Sequence, residues 1–158
     1  MALTQKKPTG ILRALLRAPI WLYRWHLGWM MGGRFLLLTH TGRKSGLQRQ
    51  TVIEVVSHDE TTDVYYVAAA WRDRSDWYRN IQQTPTVGVQ VRNQRFQAYA
   101  EQISTQEAEE RLWDYAQKYP TAYGELVTVM LGERLPADKE TCRKVSDSVP
   151  LISLTPIG

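Results

Sequence analysis

From residue 35 onward the chain alternates short β-branched runs with stretches of helical period. Residues 35–41 form an apolar run that reads as a buried strand, and 51–56 a second. A polar turn over 58–63 leads to a third strand at 64–69. Ser75-Asp76 opens a short helix carrying Trp77, Tyr78 and Ile81, and Pro85 follows its end. Residues 86–91 place Val87, Val89 and Val91 on one face, and Asn93-Gln94 turns a hairpin into 95–103. Ser104 and Glu107 stand at capping-box spacing ahead of Ala108, Leu112, Tyr115, Ala116 and Tyr119. Pro120 ends that period, and a further helix carries Tyr123, Leu126, Val127 and Met130 up to Gly132. Residues 135–148 are polar and read as a loop. Residues 151–154 read as a closing strand between Pro150 and Pro156. The pattern predicts an α+β domain over 33–158: about six mainly antiparallel strands in a small barrel, with helices over its mouth.

The first 32 residues follow a different logic. Residues 11–31 are apolar, but Arg13, Arg17, Arg24 and His26 interrupt them and Pro19 sits inside, so they do not read as a membrane span. On a helix, Leu12, Leu15, Leu16, Tyr23 and Leu27 share a broad face. The arginines form a narrow stripe opposite, bordered by Trp21, Trp25 and Trp29. Such a segment suits the interface of an anionic leaflet, or packs on the protein's own core with its arginines outward; both can hold at once. No small-residue cleavage site follows the apolar run, which argues against a signal peptide.

Composition narrows the partners. A net charge of +4 favours an anionic ligand or surface. Six Trp and eight Tyr against two Phe favour interfaces and ring-stacking pockets. One cysteine excludes an intramolecular disulfide and a cysteine metal cage, and the three histidines lack metal-ligand spacing, so no metal site is expected. A reducing, cytoplasmic location follows, peripheral on the inner face of the cell membrane where the first helix meets lipid. The basic residues are scattered and no aromatic RNA-binding motif is present, so nucleic acid is not an expected partner. Oligomeric state is not legible.

The chemistry concentrates in Thr41-Gly42-Arg43-Lys44-Ser45-Gly46, followed by Arg49. An apolar strand here delivers a glycine-bracketed loop with two adjacent cations and a hydroxyl. Such a loop suits an anion held by backbone N–H groups and guanidinium forks; the alternative is a solvated charged turn. It is not a Walker A loop, because Arg43 occupies the place of the glycine before Lys-Ser.

These residues, with Leu36-Leu37-Leu38-Thr39 before them, Asp76-Trp77-Tyr78-Arg79-Asn80, Pro85 and Tyr119-Pro120, resemble the deazaflavin (coenzyme F420)-dependent nitroreductase and F420H2-dependent quinone reductase family over about 33–123. The resemblance implies a split β-barrel related to those that bind FMN. It implies a bound 8-hydroxy-5-deazaflavin whose anionic tail meets Arg43, Lys44, Ser45 and Arg49, with Thr41 also at the cofactor and Gly42 and Gly46 allowing close backbone approach to it. Ala69, Ala70 and Trp71 would border the ring, and Trp77 and Asn80 would complete the pocket. Tyr119 and Tyr123 would lie near the acceptor, Tyr123 as proton donor. The chain departs from the family at 70–74, where Ala-Trp-Arg-Asp-Arg replaces a lysine-bearing loop; Arg72 or Arg74 could substitute. The implied reaction is hydride transfer from reduced F420 to a quinone, nitro compound or activated alkene. Two other readings are an FMN-binding oxidoreductase on the same barrel, and a non-catalytic carrier of cofactor or lipid.

Overall fold

The computed structural model describes residues 33–69 and 75–158. The amphipathic segment expected over 1–32 lies outside the described residues. Six strands close into one barrel: β1 (Phe35–Thr41), β2 (Gln48–Asp59), β3 (Val64–Ala68), β4 (Thr86–Val91), β5 (Gln94–Gln102) and β6 (Leu151–Ile157), in the order β1-β2-β3-β6-β5-β4. Every neighbouring pair is antiparallel, including the β1–β4 pair that closes the ring. The period-2 pattern explains the packing. Leu36 and Leu38, Val87 and Val89, and Ala98 and Ala100 all point into one buried cluster. Alanines on β5 leave room for Tyr65 and Phe96, whose rings stack 6.0 Å apart at one end of the barrel.

The helices are α1 (Asp76–Gln83), α2 (Thr105–Lys118), α3 (Pro120–Leu131) and α4 (Lys139–Ser148). α1 adds Trp77, Tyr78 and Ile81 to the barrel's own core and so plugs one end. The other three build a second core against the outside of the barrel, where Leu112, Tyr123, Val127, Cys142 and Val145 meet Val56 and Leu151. Val56 faces that outer core by the ordinary alternation of β2, just where a β-bulge begins. The β2–β3 register shifts between Val55 and Ser57, with Val55 inside and Val56 outside.

The ends of the elements follow the expected chemistry. Ser104 accepts from the Glu107 N–H at 3.2 Å to cap α2, and Gly132 ends α3 in the left-handed region at φ 73°. At the β2–β3 turn, the Asp59 carboxylate accepts from the Thr61 N–H and hydroxyl at 2.9 and 2.6 Å. Those bonds hold its pKa down to about 2.

Three boundaries differ from the sequence reading. β2 is twelve residues long, because its polar ends still pair with β1 and β3. β6 continues through Pro156 to Ile157 beside β5. The stretch expected to be a loop contains α4, capped by Asp138 accepting from the Thr141 N–H and hydroxyl, both at 2.8 Å. Its apolar stripe is only Cys142 and Val145, extended by buried Thr141 and Ser146, too thin to register as a helical period.

Candidate active site

The basic loop lies at the barrel end that α1 plugs. β1 delivers it, β2 takes the chain away, and the Gly42 N–H bonds the Leu47 carbonyl at 2.8 Å to close it. The Gly46 N–H returns to the Gly42 carbonyl at 2.8 Å, with Gly46 at φ 71°. A side chain at 42 would have its Cβ 2.6 Å from Ser45 Oγ, which itself accepts from the Leu47 N–H at 3.2 Å. The loop is thus tight, and a side chain at 42 would push Ser45 Oγ off its bond to Leu47.

That closure changes what the loop offers. The N–H groups of Gly42, Gly46 and Leu47 are spent inside it, and that of Arg43 goes to Asn80 Oδ1 at 3.0 Å. The backbone cradle expected from the sequence is therefore narrowed to the N–H groups of Lys44 and Ser45, which bond no described residue. The side chains carry the charge. Arg43 is turned inward: its Nη1 donates to Asn80 Oδ1 at 2.9 Å and lies 3.6 Å from Asp76. Lys44 and Arg49 are exposed, and neither makes a hydrogen bond or ion pair to a described residue. Thr41 takes a 3.2 Å bond from Gln48 beside the loop.

Asn80 is the hub of this end of the barrel. It is 2% exposed, and its Nδ2 lies 2.9 Å from His40 Nδ1. His40 is 4% exposed. Burial drives its pKa down to about 4; Asp76 opposes that shift and Arg49 adds to it. His40 stood out in the sequence only for failing to match a metal spacing. A histidine at an inward position of a buried strand, before a basic turn, was the available signal.

The other expected residues divide. Ala69 is fully buried at the end of β3, where its N–H bonds the Pro150 carbonyl at 2.9 Å. β1 and β3 run in the same direction, so Ala69 leaves the barrel at the basic-loop end. Ala70, Trp71 and the arginines expected to replace the lysine lie outside the described residues. Trp77 packs edge-on against Tyr78 in the barrel core.

Tyr119 is not brought to the loop. It lines a cleft of about 290 Å³ with Arg34, His58, Tyr65, Arg92, Tyr115 and Lys118. That cleft is at the start of β1, roughly 20 Å from the loop at a strand rise of about 3.3 Å per residue. Tyr123 is enclosed completely, with its hydroxyl 3.3 Å from Cys142 Sγ in the outer core. Burial holds the phenol far above its ordinary pKa. It lines neither this cleft nor a groove of about 550 Å³ that crosses the outer face of β1, β4 and β5 over Gly88.

The F420H(2)-dependent quinone reductase family model matches residues 16–130, most of the chain and the whole basic-loop end. No curated protein matches. A solved F420-H2 dependent reductase, FDR-A, is 25% identical, with a TM-score of 0.50 over 77% of this chain and 93% of its own. Two others share the fold alone. The protein Atu2129 of Agrobacterium tumefaciens is 17% identical with a TM-score of 0.56, over 97% of this chain and 60% of its own. A pyridoxamine 5'-phosphate oxidase-related, FMN-binding protein of Nostoc punctiforme is 15% identical with a TM-score of 0.51, over 94% and 82%. The chain belongs to the F420H(2)-dependent quinone reductase family.

Proposed function

We propose, from that membership, that the protein is an oxidoreductase taking a hydride from reduced coenzyme F420 to a small quinone, with nitro compounds or activated alkenes as further acceptors. The observation that carries this reading is a pair of exposed cations at the end where β3 leaves the barrel, Lys44 on the tight loop and Arg49 at the start of β2, neither side chain bonded to another described residue. The donor set fits the cofactor. A phosphate and several carboxylates call for flexible or forked cations in solvent, and Lys44 and Arg49 are that. Gly42 and Gly46 let the loop turn tightly, which keeps Lys44 close to Arg49 at the start of β2.

Reduced deazaflavin supplies a hydride when bound. The protein's part is to grip the anionic tail through Lys44, Arg49 and Ser45, and to exclude water with the core that Trp77 and Ala69 complete. No proton donor is assigned to Tyr123, because its hydroxyl is enclosed against Cys142.

The experiment is a fluorescence titration of the purified protein with oxidised F420, repeated with Lys44→Ala and Arg49→Ala. Saturable binding weakened about tenfold in each variant is expected, the size of one charge-assisted hydrogen bond. Menadione and a nitroaromatic, each supplied with F420H2, then rank the acceptors. Binding of FMN in place of F420 would move the protein to the flavin reading. Binding of F420 without turnover on any acceptor would leave a carrier.

A further inference from the structure

We propose that His40 is a positioning residue: its Nδ1, acting as an acceptor, fixes the Asn80 amide, which fixes Arg43 and so holds the loop that presents Lys44 beside Arg49 of β2. This rests on the reading of that loop as the anion site.

The chain of bonds has one possible polarity. The Arg43 backbone N–H and Nη1 can only donate, and both meet one Asn80 side-chain atom, at 3.0 and 2.9 Å. That atom must be the amide oxygen. The Asn80 NH2 therefore faces His40, 2.9 Å from its Nδ1. An NH2 group facing a ring nitrogen needs a lone pair there, so Nδ1 carries no proton and the imidazole proton is on Nε2. Burial of the ring supports that neutral form, and the flanking charges, Asp76 and Arg49, oppose each other.

The consequence reaches the loop through Arg43. Its N–H and guanidinium are anchored to Asn80, its carbonyl lies 3.5 Å from Gln83 Nε2, and its guanidinium faces Asp76. All three partners belong to α1, which the barrel core locks in place. Arg43 is thus a latch between loop and plug, and its immediate neighbour Lys44 points into solvent. Without an acceptor at His40, the buried Asn80 NH2 loses its partner. The Asn80 side chain then gains by swinging toward solvent, where its NH2 is hydrated; it gives up its bonds to Arg43, and the latch opens.

Two substitutions separate the acceptor from the ring. His40→Leu keeps the volume without an acceptor. His40→Asn can place an oxygen near the Nδ1 position. F420 affinity is expected to fall about tenfold in His40→Leu and to stay within about threefold of wild type in His40→Asn. Equal affinity in wild type and His40→Leu would overturn the proposal, as would equal loss in both variants.

A readout on ligand-free protein stands apart from the cofactor. The Asn80 side-chain amide protons should be protected from exchange in wild type and His40→Asn, and unprotected in His40→Leu. A third variant, Asn80→Asp, keeps the oxygens that Arg43 needs but must accept from His40. The His40 ring should then titrate at least one pH unit higher by NMR. Unchanged Asn80 protection in His40→Leu, or an unmoved His40 titration in Asn80→Asp, would overturn the positioning role. If wild type binds no F420 while these NMR results hold, the proposed function fails and the role of His40 in shaping the loop stands.

Discussion

A buried histidine held neutral links folding to acidity. The His40 pKa is lowered in the folded protein, so the unfolded chain binds the proton more readily. Its contribution to stability is complete above the ordinary histidine value near 6.5 and is lost as the pH falls toward about 4. Melting temperature should therefore drop between pH 7 and pH 4.5 in wild type, and drop less in His40→Asn, as thermal unfolding followed by circular dichroism would read. Asp59 and Asp138, whose pKa values lie below the ordinary range, contribute their own losses at lower pH in both proteins and cancel in the comparison. At this scale the sequence was half legible. Gly42, Arg43, Lys44 and Gly46 declare a tight basic loop by type and spacing. Which cation is latched and which is free depends on Asn80, 37 residues from Arg43, and no local pattern shows that.

Elements with strong periods were legible where packing and propensity agree. The alternating valines of β4 and the Ser104 N-cap of α2 occupy the positions their chemistry predicts, while the Glu107 carboxylate of the expected box instead accepts from Tyr66. α4 was not legible, because a helix packed on two neighbours needs only a thin buried stripe, and its stop and start signals lie within a polar stretch. The late helices are the other case. Tyr123 sits in a helical period that fits both a substrate pocket and a core, and the structure gives it the core, through contacts with Tyr115 and Cys142. Tyr123→Phe should cost less than about 1 kcal/mol, since it removes one long hydroxyl–sulfur contact and keeps the ring. Quinone turnover should stay within about twofold of wild type. A hundredfold fall in kcat with an unchanged melting curve would instead identify Tyr123 as the donor, the scale on which lost transition-state donors act.

For the whole molecule, the expectation of a small antiparallel barrel with attached helices matches the six-stranded ring. The order of the ring was beyond reach, because sequence adjacency cannot show that β6 belongs between β3 and β5. The segment 1–32 carries its own prediction: a protein lacking residues 1–31 should no longer sediment with anionic vesicles, and equal sedimentation would remove lipid contact from the reading. The ring order also sets a tempo. β6 must find β3, where Leu154 faces Tyr65, and β5, where Ile152 faces Gln102, each across more than forty residues of intervening chain. Closing such long spans is entropically slow, and it places this barrel among milliseconds-to-seconds folders. Until that strand arrives, β3 and β5 each keep a bare edge. The interval before closure is then when the newly made chain is most exposed to sticking to its neighbours, and its yield in the cell depends on how brief that interval is.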